Sequence, residues 1–543
     1  MANNTFNKKI ADMDNLPVIA KEKFQFAQRD GAIHDTKLET KPIGYFKDAM
    51  SRFKKNKSSV VAAFIILFLV IYSIVVPIAF ANNYNTSLGD NLFLEYGKLL
   101  PKAEAFLWAG WDGCKNVELG ANDYNIRRAI GVETGLSPIV TAEKFTTVDE
   151  TNGKTYTKYR VKLDTYYDLG MYIIVVNKEN YKAIMSWQDE HQIQVIFPAV
   201  DYKAQDSTNA QRLTERTANI WYKCNDKGVP TLDQEGNFQN IYKISNGSDN
   251  YSSLRLESDP GTWSYAAITG AADMDENGNI IYDADGFPEG GVSYKLRVCK
   301  YTYFQYIYGI EPSFVFGTNS VGQDIFYRLA QGAQFSFMLA VSVSAINLTI
   351  GAIYGAIEGY FGGAADMLME RIRDVLGGIP FTVLTTLFQL HFADKVGVVG
   401  ALLFAFVATG WLGMAGTVRM QFYRFKNQEY ILSARTLGAK DSRIMFKHIL
   451  PNALGTIVTS CVLVIPGVIF SESSLTYLGI INLESSRWTS VGTMLALGRD
   501  YLSNYPHIIL FPALFISMLE ISFNLFGNGL RDAFNPSLRG SEG

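Results

Sequence analysis

Histidine and cysteine are both scarce here: 543 residues carry five histidines and four cysteines. The histidines form no spaced pair and no H-E-x-x-H, so the sequence offers no ligand set for a catalytic or structural metal. Cys461 lies in an apolar run, while Cys114, Cys224 and Cys299 share a polar region and allow at most one internal disulfide. That excludes a disulfide framework as the source of stability. No G-x-x-x-x-G-K-S/T loop is present, which excludes phosphate-loop binding of ATP. Nor is one sign of charge in large excess: a net charge of −3 gives no electrostatic case for nucleic acid. Nothing marks a catalytic nucleophile, and the chain reads as a non-enzyme without a cofactor.

What the chain does have is long apolar runs. Its mean hydropathy of +0.04 averages very apolar and very polar stretches. Residues 1–43 are polar, mixed in charge and aperiodic, and read as a cytoplasmic tail; the lack of an apolar stretch near Met1 argues against a cleaved signal. In the segment 44–81, Phe53-Lys54-Lys55-Asn56-Lys57 precedes the uncharged run Val60–Ala81. A membrane span takes roughly 20 apolar residues, and the preceding lysines put its first end in the cytoplasm. Five more spans follow in 311–543: Ala333–Ile357, Val375–Leu390 kinked at Pro380, Val396–Val418, Ala453–Ser471 broken by Pro466, and Ile508–Gly527. Glu370, Arg371, Arg373 and Asp374 read as a charged inner turn, His391–Lys395 as a tight outer one, and Glu472–Tyr505 as the last outer segment. Gly351, Gly355 and Gly359 share one helix face, a spacing that suits close helix packing in lipid.

Residues 82–310 differ in kind, being rich in Tyr, Asp, Asn and Gly with no membrane-length run. Thr155–Leu163 alternates behind Asn152-Gly153, a hairpin signal, and Glu235-Gly236 and Asn277-Gly278 mark similar turns. Met171–Val176 and Ile193–Phe197 read as strands and Lys178–Glu190 as a helix. Asp273-x-Asp275-x-Asn277-Gly278 opens like a calcium loop, but Ala284 stands where a bidentate Glu is required, which favours a plain turn. The expected architecture is an α-helical polytopic membrane protein of six transmembrane helices, with an inserted extracellular α+β domain at 82–310.

The polar stretch from Glu429 to Asn452, lodged between two of these spans, carries the functional reading. Its pattern predicts two short helices, with Gly438 as the left-handed residue closing the first and Asp441 as N-cap of the second. Ile444, Met445 and Ile449 give the second an apolar stripe, and Pro451 suits the first turn of the next span. Arg419, Arg424, Lys426, Arg435, Lys440, Arg443 and Lys447 make this the most basic connection of the membrane domain, so the charge rule places it in the cytoplasm. The bland alternative is an ordinary amphipathic loop.

This stretch resembles the EAA loop of importer-type ABC permeases, most closely the C-type subunit of the oligopeptide/dipeptide permease family. Gly438, Ala439, Leu450, Pro451 and Asn452 stand where that motif has them; Leu432-Ser433-Ala434 replaces Glu-Ala-Ala, and His448 takes the usual Ile position. The basic flank before the first span, Gly317-Thr318-Asn319-Ser320-Val321-Gly322-Gln323-Asp324, Ser474–Gly479 and Leu530–Pro536 resemble further family stretches. Asn319 and Gln323 replace an acid and a base of the pattern, Asn528 and Asn535 replace aspartates, and the Pro-Pro after Gly479 is absent.

The resemblance implies an importer-type ABC permease fold and a coupling role for residues 429–452. The residues carried over are Ala434, Arg435, Gly438, Ala439, Lys440, Asp441, Arg443, Ile444, His448, Leu450, Pro451 and Asn452. Implied partners are a homologous B-type permease, two ABC ATPase subunits, an extracellular substrate-binding protein and a peptide. Glu520, within the sixth span, and Glu472, at the outer end of the fifth, are costly in lipid unless they face protein or water. They read either as a translocation path or as interhelical hydrogen bonding, and Asn524 shares the face of Glu520 and matches a family asparagine. Two rival functions stay open: a permease of the same family for nickel, a glycoside or another small solute, and a membrane-anchored receptor or adhesion protein acting through residues 82–310.

Overall fold

The computed structural model describes residues 45–81, 92–148, 153–197, 200–201, 263–264, 266–279, 281–284, 289–483 and 489–534. The tail at 1–43, the turn at Glu235-Gly236, Cys224 and Asn535-Pro536 lie outside them. The chain forms two units, Met1–Ser51 and Arg52–Gly543, and the described part of the first is the start of α1 (Tyr45–Lys55). Asn56 then caps α2 (Lys57–Ala79), its side-chain oxygen accepting from the Ser59 N–H. This is the first apolar run, ending two residues earlier than its composition suggests.

The inserted region is α+β. Strands β1 (Cys114–Gly120), β2 (Ile139–Val148) and β3 (Thr155–Asp164) form an antiparallel sheet in the order β1-β3-β2, with α3 (Ala121–Thr134) between β1 and β2 in the chain. Val148 pairs with Thr155 across the predicted hairpin, and Gly153 takes the positive φ of 67° that such a turn needs. A second sheet follows, comprising β4 (Met171–Val176), α4 (Lys178–His191) packed on it, and β5 (Ile196–Phe197). After the short pair β6 (Val200–Asp201) and β7 (Trp263–Ser264) come β8 (Ala266–Ala272) and β9 (Gly290–Cys299). Strand β9 is central, with β4 on one edge and β5 and β8 on the other. The strand expected at Ile193–Phe197 shrinks to the two residues Ile196–Phe197, and the Gln188 side chain accepts from the Val195 and Ile196 N–H groups at its start. Asp275 accepts from the backbone N–H groups of Asn277 and Asn279, so that site is a tight turn built on its own carboxylate. Cys114 is a free thiol.

Helix α5 (Lys300–Tyr308) leads to the membrane core: α6 (Ile325–Phe361), α7 (Gly363–Gly377), α8 (Phe381–Phe425), α9 (Glu429–Thr436), α10 (Asp441–Tyr477), α11 (Val491–Gly498) and α12 (His507–Phe534). Among the described residues five helices are long and apolar enough to cross a membrane: α2, α6, α8, α10 and α12. Helix α8 contains two of the expected spans. It is folded at Gly397, whose φ of 79° and ψ of 159° are not helical. The rings of Phe381 and Phe406 lie 4.9 Å apart, whereas on a straight helix they would be separated by about 37 Å. The Gln389 amide likewise donates to the Val398 carbonyl at 3.1 Å. The two arms therefore run side by side and the five helices make six passages.

Three expectations about this region are corrected. The span expected at Val375–Leu390 is interrupted, because α7 ends at Gly377 and Pro380 is the N-cap of α8 instead of a kink within a helix. Proline disfavours helix at the residue before it and lacks the N–H of an interior position, so the break falls there. His391–Lys395 is helical, and the reversal waits for Gly397, which reaches positive φ without a Cβ penalty. Glu370–Asp374 is a helical stretch of α7 and not a turn.

Helix α6 and the second arm of α8 run parallel, with Gly351 against Met414 and Gly359 against Phe422. A Cβ on either glycine would lie 2.7 Å from the facing side chain, and one on Gly355 would meet the Ala415 backbone. At the other end of the bundle an aromatic chain joins the inserted region to the membrane helices. Trp111 packs edge-on against Phe316 (5.9 Å) and Phe511 (5.6 Å), and Phe326 contacts Phe316, Tyr72 and Phe80. Beside it, Thr318 accepts from the Leu99 N–H and donates to the Tyr96 carbonyl.

Gly355→Val forces α6 off the Ala415 backbone, and overpacking of this kind costs about 1–3 kcal/mol. The purified protein in detergent should lose several degrees of thermal midpoint; an unchanged midpoint would show that the two helices are not in backbone contact.

Candidate functional site

The basic stretch forms an elbow between α8 and α10. Its first helix, α9, closes with paired reverse bonds: the Gly438 N–H donates to the Arg435 carbonyl (3.0 Å) and the Ala439 N–H to the Ala434 carbonyl (3.1 Å). That is a Schellman motif, which requires a left-handed residue, and Gly438 has φ 77°. The back of the elbow is apolar. Ile431, Ile444, Met445 and Ile449 are buried against Ala356 and Tyr360 of α6 and Val418 and Phe422 of α8. The front is open: Leu437 is 87% exposed, and Arg435, Gly438, Lys440, Arg443 and Lys447 face solvent. Ala434, Ala439, His448 and Leu450 are half-buried between the two sides.

Two details of the elbow differ from expectation. Lys440, not Asp441, is the N-cap of α10, and it makes no side-chain cap bond. The Asp441 carboxylate is drawn away by the Tyr360 hydroxyl, which donates to it at 2.5 Å while accepting from Arg435 at 3.4 Å. Pro451 stands in the first turn of the regular α-helical stretch Leu450–Tyr477, as expected, but the helix does not start afresh there. Helix α10 is continuous from Asp441, passing through a wide π turn at Ile444–Ile449 that ends with the Leu450 N–H on the Met445 carbonyl. Proline cannot donate to the preceding turn, and a π turn accommodates that gap within one helix. Asn452 completes it, its amide donating to the His448 carbonyl (2.7 Å) and the Tyr430 hydroxyl (3.3 Å).

Beside the elbow lies a charged junction that the sequence reading missed. Arg419 of α8 donates to both oxygens of Asp366 on α7 (2.6 and 2.8 Å) and to both of Glu370 (3.2 and 3.1 Å). Glu358 of α6, fully buried, accepts from Arg373 at 3.0 Å and lies 3.4 Å from Arg419. The Tyr423 hydroxyl donates to Asp366 (2.6 Å), and Lys426 donates to the Gly359 carbonyl (3.0 Å). Bidentate guanidinium–carboxylate pairs are among the stronger protein hydrogen bonds. The Arg419 guanidinium accordingly holds the Asp366 carboxyl below the usual carboxylate range. The spacing of Asp366, Glu370 and Arg373 on one face of a helix was the available signal.

The intramembrane acids separate. Glu472 is fully buried among hydroxyls, accepting from Ser336 of α6 (3.3 Å), an interhelical bond, and from Ser473 (3.4 Å) and Thr476 (3.1 Å) of its own helix. It lies inside α10, which runs on to Tyr477, so the segment expected to begin at Glu472 starts as helix. Glu520 is half-buried on α12, and its Oε1 has no partner among the described residues. Asn524 is exposed one turn on, its amide donating to the Glu520 carbonyl (3.0 Å), so the two do share a face. Where the family pattern has an acid and a base, Asn319 donates to the Gln323 side chain at 3.1 Å, a neutral amide pair holding the same turn.

Comparison with known proteins accords with this geometry. Residues 347–540 match the family described as the binding-protein-dependent transport system inner membrane component, and residues 44–96 match the N-terminal transmembrane domain of oligopeptide transport permease C. The oligopeptide transport system permease protein OppC of Bacillus subtilis is 41% identical over 225 residues, covering 41% of this chain and 72% of that one. The dipeptide permease DppC of the same organism is 40% identical over 41% of this chain and 69% of its own length. OppC of Escherichia coli K12 is 36% identical over 42% of this chain and 74% of its own.

Arg419→Gln leaves Asp366 and buried Glu358 short of a cation, and breaking such a pair costs about 3 kcal/mol. A depressed carboxyl pKa supplies stability that is complete above the ordinary value of about 4 and lost as pH falls through the lowered one. The thermal midpoint of the variant should therefore lie below that of the natural protein at pH 7, with the gap closing below about pH 4. A gap that stays constant with pH would rule out the Asp366 contact as its source.

Proposed function

The chain belongs to the binding-protein-dependent inner membrane components of transport systems, in their oligopeptide/dipeptide permease C branch, and we propose that its elbow at residues 429–452 docks an ATPase subunit. It is a multi-pass membrane permease of an oligopeptide or dipeptide ABC transporter and not an enzyme. Nickel or glycoside cargo, or a receptor role, is not favoured. ATP hydrolysis then belongs to two separate ATPase subunits, and the permease pairs with a homologous B-type subunit to enclose the peptide path.

The observation that carries the docking assignment is the two-sidedness of the elbow. Its back is fixed to α6 and α8, while its front presents Leu437, Gly438 and a ring of cations to solvent. An exposed leucine amid cations suits a groove that is apolar at its centre and acidic at its rim. Closure of the ATPases on nucleotide would shift the elbow, and because α10 is one 37-residue helix that continues past Pro466 instead of breaking there, the shift is carried along it to Glu472. Tyr360 carries the same displacement to α6 through Asp441 and Arg435. Such coupling needs different contacts in two states, and the docking groove supplies them.

The basic elbow orients the chain with the elbow and both termini in the cytoplasm. Residues 82–310 then form an extracellular domain, anchored through Trp111 and Thr318 beside the substrate entrance, that receives the peptide-binding protein. Glu520 and Asn524 line the path from α12, whereas Glu472 acts as a buried tie.

Gly438→Trp tests the docking. A Cβ there meets nothing within 4 Å and the position faces solvent, so the cost to the chain's own fold is about 1–2 kcal/mol for positive φ. Peptide uptake and copurification of the ATPase should both be lost while the permease stays in the membrane. Retention of both would sink the assignment.

A further inference from the structure

Where α6, the second arm of α8 and α10 meet inside the membrane core, they leave a recess of ≈ 340 Å³. Its lining is mixed. Phe381 and Phe406 make one wall, and Asn347, Thr409 and Ser471 bring an amide and two hydroxyls to the same space. No lining residue is charged.

Asn347 is the unusual member. It is 2% exposed, yet its Oδ1 has no hydrogen-bond partner among the described residues. One turn earlier, buried Ser344 likewise leaves its Oγ without a partner among the described residues. A buried polar group without a partner costs about 1–3 kcal/mol, and in a bilayer no water stands by to relieve it. The sequence nonetheless makes room for this amide: a Cβ on Gly410 would run into Asn347 Nδ2. Gly467, on the facing helix, leaves open space where a side chain would stand.

We propose that this recess is a substrate subsite in which Asn347 Oδ1 accepts a main-chain N–H of the passing peptide. The inference rests on the peptide-transport reading and names a residue and a chemistry for it. An uncharged amide acceptor flanked by hydroxyls matches the repeating part of a peptide and not its charged ends. The aromatic wall takes an apolar side chain without demanding a particular one. A divalent metal would find neither a carboxylate nor a soft ligand here. Recognition through the main chain suits a carrier that passes peptides of varied sequence, since every non-proline residue offers the same donor.

Two variants test it in the complete transporter reconstituted in liposomes, with trialanine as the probe. Asn347→Leu removes the unpartnered oxygen. The thermal midpoint should hold or rise while kcat/KM for uptake falls about tenfold, the worth of one hydrogen bond. Gly467→Leu fills the recess from an unobstructed position and should lower uptake at least as far, with the partner permease still copurifying. Full uptake by Asn347→Leu would make the recess an idle void and overturn the proposal. A fall in stability together with uptake would make Asn347 a structural residue and overturn it equally. Loss of the partner permease in Gly467→Leu would reassign the recess to the contact between permeases. Failure of the natural transporter to take up any peptide, with copurification intact, would instead remove the transport reading on which the proposal stands.

Discussion

The close approach of α6 to the second arm of α8 is the constraint from which the rest of the membrane core follows. Glycine at 351, 355 and 359 lets one helix lie on the backbone of the other, where any side chain would hold them apart. Their parallel course places Gly359 against Arg419 and Phe422, close enough for Lys426 to reach the Gly359 carbonyl. Glu358 is brought within reach of Arg419 by the same approach, and α7 closes over both with Asp366 and Glu370. The charges are thus a consequence of the packing. An ion pair that buried would be unfavourable unless its carboxylates were already held in place.

The elbow inherits its rigidity from this pair of helices. Its apolar back rests on residues of α6 and α8 that lie within two turns of the glycine contact, so the exposed front is presented by a fixed support. Continuity through the π turn makes the elbow the end of α10 itself. Had Pro451 broken the helix, movement of the elbow would have been absorbed at a hinge. A proline that leaves the rod unbroken, with Asn452 bonding across the widened turn, suits an element that passes displacement along its length.

At the opposite end of the bundle the inserted region is tied down by aromatic rings and backbone bonds instead of charges. Trp111 reaches α12 through Phe511, and Phe316 links it to Phe326 at the start of α6. Thr318 joins the same turn to Tyr96 and Leu99. Three membrane helices therefore share one anchoring cluster with the sheets above it, and the inserted region cannot be regarded as a tethered bead.

Much of this was legible in residues close together in the chain. Apolar length marked the membrane passages, although not the limits of the first arm of α8, because lipid leaves backbone groups no partner outside the helix. Gly438 announced the left-handed cap and Asn152-Gly153 the hairpin, since few residues adopt those backbone angles. The run from Gly438 to Asn452 also carried the family resemblance, being a local surface. What sequence spacing left undecided were the choices made by partners far away. Asp441 had the composition of an N-cap, yet Tyr360, 81 residues distant, takes its carboxylate. Pro380 and Gly397 each had the composition of a break, and only the docking of Phe381 on Phe406 set where the chain turns back. Glu472 and Glu520 look alike as acids in apolar runs, but one is met by a hydroxyl of another helix, Ser336, besides those of its own, while an oxygen of the other has no described partner. Local backbone preference acts over a few residues and can be read directly. The fate of a polar side chain in a low-dielectric core depends on which distant group arrives beside it, and tertiary packing alone decides that.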